Sequence, residues 1–309
     1  GCVALMMAAG SGRAAAHLLA KSADAAVADE WLPRLVSGEW AATICISEPE
    51  AGSDVGRLRS RAVQSDGEWR ISGQKIWISF GDHDMTDRIG HCMLARTSDA
   101  PGTRGLSLFL VPNIIDGRPN GITLERIEEK MGLHGSPTCA LRFEGARGIL
   151  LGELGRGLPE LFTMIELMRL STACQGLGIA SASADIAEAY AAERRQGGAP
   201  DRPPVPIAEH PDVRRQLHAI RARTEVLRAA VLELATVMDL ARLEPDPALR
   251  QELSDFAGWM LPLIKNFGAG AGFDVANAAI QVLGGVGYTK DWPLEQYLRD
   301  SRIMTIYEG

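Results

Sequence analysis

Residues 46–56 read Ile-Ser-Glu-Pro-Glu-Ala-Gly-Ser-Asp-Val-Gly, and residues 73–80 read Gly-Gln-Lys-Ile-Trp-Ile-Ser-Phe. The first is a turn of small residues with hydroxyls at Ser47 and Ser53. Glycine in such a turn lets main-chain N–H groups approach an anion or a polar ring closely, because no Cβ intervenes. The second alternates Ile76, Ile78 and Phe80 on one face with Trp77 and Ser79 on the other, the period of a strand. A flat indole and a hydroxyl then share an exposed face. That pairing suits a flat polar ring such as isoalloxazine, with the indole against its plane and hydroxyls at its edge.

Outward from these segments the chain falls into three blocks. Residues 1–40 are alanine-rich and helical, with Trp31-Leu32-Pro33 and Gly38 marking a helix exit. Residues 41–155 change to short alternating runs at 43–47, 69–72, 75–80, 91–96, 106–111, 122–126 and 139–143, separated by Gly, Pro and Asp. Many short strands with turn signals between them predict a small barrel or sandwich. Residues 156–309 are helical again, entered through Gly157-Leu158-Pro159 with proline near the first turn. Val213, Leu217, Ile220, Thr224, Leu227, Val231, Leu234 and Met238 follow three- and four-residue steps, the seam of a long packed helix. A Gly/Pro-rich loop at 197–206 precedes it, and a further helix spans 248–283, bent at Pro262 or at the glycine cluster of 268–272.

Composition is that of an ordinary globular chain, 46% hydrophobic and 23% charged. A net charge of −7 gives no electrostatic reason to expect nucleic-acid binding. No apolar run reaches the roughly 18 residues of a membrane span. Cys2, Cys45, Cys92, Cys139 and Cys174 are scattered and odd in number, which reads as reduced thiols of a cytosolic protein. His17, His83, His91, His134, His210 and His218 show no ligand spacing, so no metal site is expected.

The two opening segments resemble the flavin-binding segments of the acyl-CoA dehydrogenase family. The resemblance continues through Gln-Val-Leu-Gly-Gly-Val-Gly-Tyr at 281–288, similar to the family's glycine turn, and through Arg299-Asp300-Ser301-Arg302-Ile303 and Ile306-Tyr307-Glu308-Gly309, similar to the segment that carries its base. It implies an α+β multidomain fold: a helical N-terminal domain of which 1–40 is a remnant, a central β-barrel domain at 41–155 and a C-terminal four-helix bundle at 156–309. Both ends then read as truncations, and the 309-residue piece is expected to hold flavin weakly. Two segments, 130–139 and 206–215, are similar to a bacterial branch that includes 3-(methylthio)propionyl-CoA and long-chain-like dehydrogenases, which points to a short thioether or short-to-medium acyl chain.

The same resemblance implies a cofactor, FAD, and a reaction, α,β-dehydrogenation of an acyl-CoA thioester to the 2-enoyl-CoA. Glu308 matches the base that removes the α proton. Its backbone N–H and a flavin ribityl hydroxyl match the donors to the thioester oxygen. Relatives that carry the base on the first bundle helix offer no alternative, because Met168 stands at that position and Glu166, two residues away, faces elsewhere. Ser47, Ser53, Trp77 and Ser79 match flavin contacts. Arg194, Gln281, Gly284 and Gly285 match contacts to a neighbouring subunit's flavin. Ser53, Ser136, Arg169 and Tyr307 match the substrate side. Gln196-Gly197-Gly198 departs from the family pattern after the arginine, which puts the adenine-side packing in doubt. The implied partners are an electron-transfer flavoprotein and further copies of the chain, as homodimer or homotetramer. An acyl-CoA oxidase, or a flavin-binding relative with a nucleic-acid role, would keep the same motifs.

Overall fold

The short runs between residues 40 and 151 form the strands of a sheet that closes on itself. The structure is a computed structural model that describes residues 2–307. Its strands are β1 (Trp40–Cys45), β2 (Arg61–Ser65), β3 (Glu68–Ser79), β4 (Arg88–Arg96), β5 (Leu106–Pro112), β6 (Ile114–Ile115), β7 (Arg118–Pro119), β8 (Ile122–Ile127) and β9 (Thr138–Leu151). Pairing runs β4–β2–β3–β9–β5 and back to β4, so the five strands make a barrel. β1 lies parallel to β4, and β8 pairs with the first part of β9 while β5 pairs with its last part. Closure removes the exposed edges that open sheets must protect.

The barrel interior is filled from alternate positions: Ile71 and Ile78 of β3, Met93 and Ala95 of β4, Phe109 and Val111 of β5, and Leu141 and Phe143 of β9. A second apolar cluster lies where α1 (Cys2–Ser22) and α2 (Ala25–Ser37) pack with β1, β4 and β5. Trp31 and Trp40 meet edge to face there with ring centroids 4.7 Å apart. The first turns of α3 (Gly157–Glu193) add Leu161, Met164 and Ile165 to that cluster. Residues up to Met168 therefore form one compact unit, and those from Arg169 a second.

The second unit contains the rest of α3, α4 (Pro211–Leu243), α5 (Pro247–Leu283) and the short α6 (Leu294–Ser301). The expected seam of α4 is real: Ile220, Thr224, Leu227, Val231 and Leu234 are buried against α3 and α5. The loop at 197–206 is stapled at its neck, where Gln196 N–H donates to Val205 (2.8 Å) and Ile207 N–H to Arg194 (2.7 Å). α5 is one continuous helix with Pro262 inside it, and Gly268 of its glycine cluster makes close contact with α3. A Cβ on Gly176 of α3 would lie 2.1 Å from the Gly268 carbonyl oxygen, and one on Gly268 would lie 2.9 Å from the Ala173 Cα. The two backbones come too close for any side chain at those positions. No helix among the described residues is long and apolar enough to cross a membrane.

Candidate functional site

In the barrel unit the two motif segments are held side by side. Ile76 N–H donates to the Ser47 carbonyl at 2.9 Å, tying the loop to β3. The loop closes on itself through paired bonds between Glu48 and Ala51, 2.9 and 3.1 Å. Sequence reasoning passed over the group that fixes it. Lys75, fully buried, donates to Glu48 Oε1 and to the Ile46 carbonyl, both at 2.8 Å. The Glu48 carboxylate also accepts from the backbone N–H of Arg59 (2.6 Å) and Ser60 (3.0 Å). Burial by itself raises a carboxyl, but here the Lys75 charge and those donors outweigh it, and Glu48 is held below its ordinary value. Burial draws the Lys75 ammonium below its usual range, and Glu48 partly counters this. The signal in the sequence is Lys75, the single charge of residues 73–80, opposite a loop that carries Glu48, Glu50 and Asp54.

Strict alternation fails along β3, and the failure makes the site. Lys75 pairs with Leu141 and Ile78 with Cys139, so β3 carries one residue more than β9 between those rungs. The extra residue is a β-bulge, and both Lys75 and Ile78 turn inward around it. Trp77 sits in the bulge with φ of 62° and is 57% exposed. A bulky residue in the left-handed region is strained, and strain of this kind gathers at functional positions. Ile76, expected inward with Ile78 and Phe80, is only half-buried. Ser47 and Ser79 are half-buried, and Ser53 is exposed on the loop. Phe80 N–H bonds the Pro137 carbonyl (2.7 Å), joining the end of β3 to the loop that holds Ser136. That loop is fixed by Lys130 Nζ on the Ser136 carbonyl (2.7 Å). Ser136 itself is 1% exposed, and its hydroxyl has no hydrogen-bond partner among the described residues.

The expected residues of the helical unit fall into two groups. Gln281, Gly284 and Gly285 are exposed where α5 ends, with Gly284 at φ of 66° and open space where a Cβ would stand on either glycine. Arg194 is exposed just past α3, its guanidinium 3.0 Å from Gln196 Oε1. Near the other group, Tyr307 is half-buried, with its hydroxyl 3.3 Å from Thr172 Oγ1 of α3. The ammonium of Lys265, on α5, donates to the Tyr307 carbonyl and lies 5.3 Å from the centroid of its ring. Lys265 is a second residue that sequence reasoning missed, and it is 2% exposed. Arg169 is half-buried on α3. Glu308 lies outside the described residues.

Inside the barrel, His91 Nδ1 bonds Thr43 Oγ1 at 2.8 Å, and its ring meets the edge of Phe143. Burial pushes its pKa down to about 3. Cys45 and Cys92 are buried, and burial pushes their thiols up to about 12, which makes them inert packing groups.

The chain resembles known proteins in sequence and fold. Residues 43–146 match the model for the acyl-CoA dehydrogenase middle domain, and residues 155–309 that for the acyl-CoA dehydrogenase C-terminal domain. The chain is 41% identical over 293 residues to the 3-methylmercaptopropionyl-CoA dehydrogenase of Ruegeria pomeroyi, covering 90% of this chain and 49% of that protein. It is 38% identical over 304 residues to the broad-specificity linear acyl-CoA dehydrogenase FadE5 of Mycobacterium tuberculosis, covering 91% and 49%. The chain thus spans about half the length of these curated relatives. Among solved structures, a glutaryl-coenzyme A dehydrogenase in complex with glutaryl-CoA superposes with a TM-score of 0.84 at 29% identity, over 99% of this chain and 72% of that one. The butyryl-CoA dehydrogenase of Megasphaera elsdenii gives 0.82 at 27% identity, over 99% and 73%.

Proposed function

We propose that this chain, which belongs to the acyl-CoA dehydrogenase family, takes part in the FAD-dependent α,β-dehydrogenation of an acyl-CoA thioester. The observation that carries the proposal is the strained, exposed Trp77 on its bulge, beside a loop locked by the buried Glu48–Lys75 pair. A fold does not expose an indole at a cost in backbone strain and bury an ion pair behind it without a use for the surface so made.

In this reading Trp77, Ser47 and Ser79 would hold the flavin ring, and Ser53 would serve the phosphates of flavin or CoA. Bound there, the flavin supplies the hydride acceptor. The chain's own residues do the rest. Glu308 takes the α proton, its carboxylate made basic enough as the acyl chain displaces water. Its backbone N–H faces the charge that develops on the thioester oxygen, which only fixed donors in a dry site can stabilise efficiently. Tyr307 and Arg169 shape the thioester end, and Ser136 serves the substrate side. Arg194, Gln281, Gly284 and Gly285 serve a neighbouring subunit's flavin, a role that their exposure supports.

The outer face of α5 supports self-association. Phe256, Trp259, Leu263 and Phe267 repeat at helical spacing and are exposed, the pattern of a helix face that a second copy covers. The three-part division at 40 and 155 and a cytoplasmic location belong to the same reading. So do an electron-transfer flavoprotein as electron acceptor and a short thioether or short-to-medium acyl substrate, the class that the Ruegeria relative's name suggests.

The test is an anaerobic titration of the flavin-loaded protein with a panel of acyl-CoAs, followed by flavin absorbance, in wild type and Glu308→Gln. Bleaching by one chain class, lost in the variant while ligand still binds, is the expected result. A flavin that no acyl-CoA bleaches would overturn the reaction while leaving the fold in place.

A further inference from the structure

At the far end of β3 from Trp77, two arginines oppose each other across the sheet. β3 and β9 run antiparallel with Arg70 directly opposite Arg147, while their neighbours Ile71 and Ala146 point into the barrel core. Both guanidinium groups therefore stand on the outer face. Like charges in that register repel, and a pairing made for stability alone would set a carboxylate at one of the two positions. One carboxylate does mediate. Glu68, on the same face of β3, lies 2.6 Å from Arg70 and 2.7 Å from Arg147. It is a single negative charge between two positive ones.

A third guanidinium is brought to the same place by a separate device. β6 and β7 form a hairpin in which Ile115 pairs with Arg118. Its two turn residues, Asp116 and Gly117, have φ of 50° and 71°, the left-handed values that a tight hairpin of the Asp-Gly type requires. The base of the hairpin is closed by Asn120 N–H on the Asn113 carbonyl at 2.9 Å. The Asn120 side chain then docks it on the sheet: its amide donates to the carbonyls of Pro112 (2.7 Å) and Arg147 (2.9 Å), and its Oδ1 accepts from the Arg147 N–H (2.9 Å). Arg118 thus rides on a fixed finger. Its side chain is exposed and meets no carboxylate among the described residues.

Arg70, Arg118 and Arg147 line one cavity of about 530 Å³, within the size range of small-molecule sites. Ile115 and Pro119 give it an apolar side, and the carboxylates of Asp116 and Glu144 also reach it. We propose that this cavity binds the phosphate ester of a sugar or nucleotide. Guanidinium forks match phosphate oxygens in pairs, and a dianion among three of them relieves a repulsion that Glu68 offsets only in part. Asp116 and Glu144 disfavour a bare anion but accept hydrogen bonds from sugar hydroxyls. The apolar side receives the carbon skeleton. With a net charge of −7, the chain as a whole repels anions, so the attraction is confined to this group of arginines. Arg70 precedes Trp77 on β3 by a stretch of about 20 Å, at roughly 3.3 Å per strand residue. The site is therefore distinct from the face assigned to the flavin, and its occupancy is independent of the reaction proposed there.

The test is calorimetric titration of the full chain with ribose 5-phosphate, adenosine 5′-monophosphate and inorganic phosphate. Ribose 5-phosphate is expected to bind saturably, about tenfold more tightly than inorganic phosphate, and to weaken as ionic strength rises. The nucleotide separates the two sources of the same chemistry: tighter binding than ribose 5-phosphate supports a nucleotide site, and equal or weaker binding a sugar-phosphate site. Arg118→Gln is expected to weaken the ester about tenfold with the thermal midpoint unchanged, and Arg118→Lys to restore part of the affinity. Hydrogen exchange locates the contact, with slower exchange expected in residues 113–121 and 144–148 when the ester is bound. Absence of saturable binding by either ester would overturn the proposal. Equal affinity for inorganic phosphate and both esters would do so too, since that marks a loose anion contact. So would binding that Arg118→Gln leaves intact and that protects other segments instead.

Discussion

Each unit of the molecule buries one lysine, and the two are used differently. In the barrel, Lys75 meets the Glu48 carboxylate and the Ile46 carbonyl, and its charge is absorbed in pinning the loop at 46–53 to β3. In the helical unit, Lys265 reaches a backbone carbonyl at the segment that precedes Glu308. A carboxylate partner makes an anchor, because the pair satisfies itself and leaves its surroundings unpolarised. Both lysines sit behind a segment that the sequence marks as functional, and neither is part of its surface.

The comparison can be broken most severely at the anchor. Glu48→Ala leaves a buried ammonium facing a cavity, and a loss of about 3–5 kcal/mol in unfolding free energy is expected. Replacing the whole pair, as Glu48→Leu with Lys75→Met, is expected to recover most of that stability without restoring flavin retention. If the double variant keeps its flavin, the pair does not position the loop.

The weak point of the helical unit is steric. Gly176→Ala or Gly268→Ala forces α3 and α5 apart and is expected to cost about 1–3 kcal/mol. Thermal unfolding would show this, and an unchanged midpoint would mean that the helices tolerate a wider spacing.

The barrel interior adds a pH dependence through His91. His91 has its folded pKa lowered to about 3 from an ordinary 6.5, so as pH falls the unfolded chain takes up the proton first. The stability that it contributes is fully present above pH 6.5 and is lost progressively toward pH 3. Between pH 6.5 and 5 the loss is expected to be about 2 kcal/mol, at about 1.4 kcal/mol per pH unit. Denaturant midpoints at the two pH values, compared between wild type and His91→Leu, isolate the contribution. An equal slope in the variant would assign the acid lability elsewhere.

The smallest effect sharpens the contrast between strength and use. Trp77→Gly relieves the positive φ and gives up little buried surface, so a gain of about 1 kcal/mol is expected, together with a fall in the flavin retained through gel filtration. A loss of stability would mean that the indole packs more than its exposure indicates.

Much of this was legible in the chain. Alternation and turn residues placed the barrel strands, because a half-buried strand writes its burial into every second side chain. The α4 seam from Ile220 to Leu234 was equally plain, since a packed helix repeats its apolar residues every three or four positions. Family-like motifs singled out Ser47, Trp77 and Tyr307 as surface or lining positions. The bulge at Trp77 was not legible. It depends on β9 supplying one residue fewer between two rungs, a count that only pairing reveals. Strand β2 also escaped notice, because Arg61–Ser65 has one buried residue and borrows its place from β3 and β4.

By itself, the sequence determined the order of helices and strands and the absence of any long apolar span, and it marked the segments that resemble those of the family. These follow from periodicity and composition, which are local. Tertiary structure alone decided that Lys75 would find Glu48, 27 residues away, and that Lys265 would find Tyr307, 42 residues away. A lysine's code is the same on a solvated face and in a core. Whether its charge ends in water, on a carboxylate or on a carbonyl is set by what the rest of the chain brings to it, and burial then gives that partner its energetic weight.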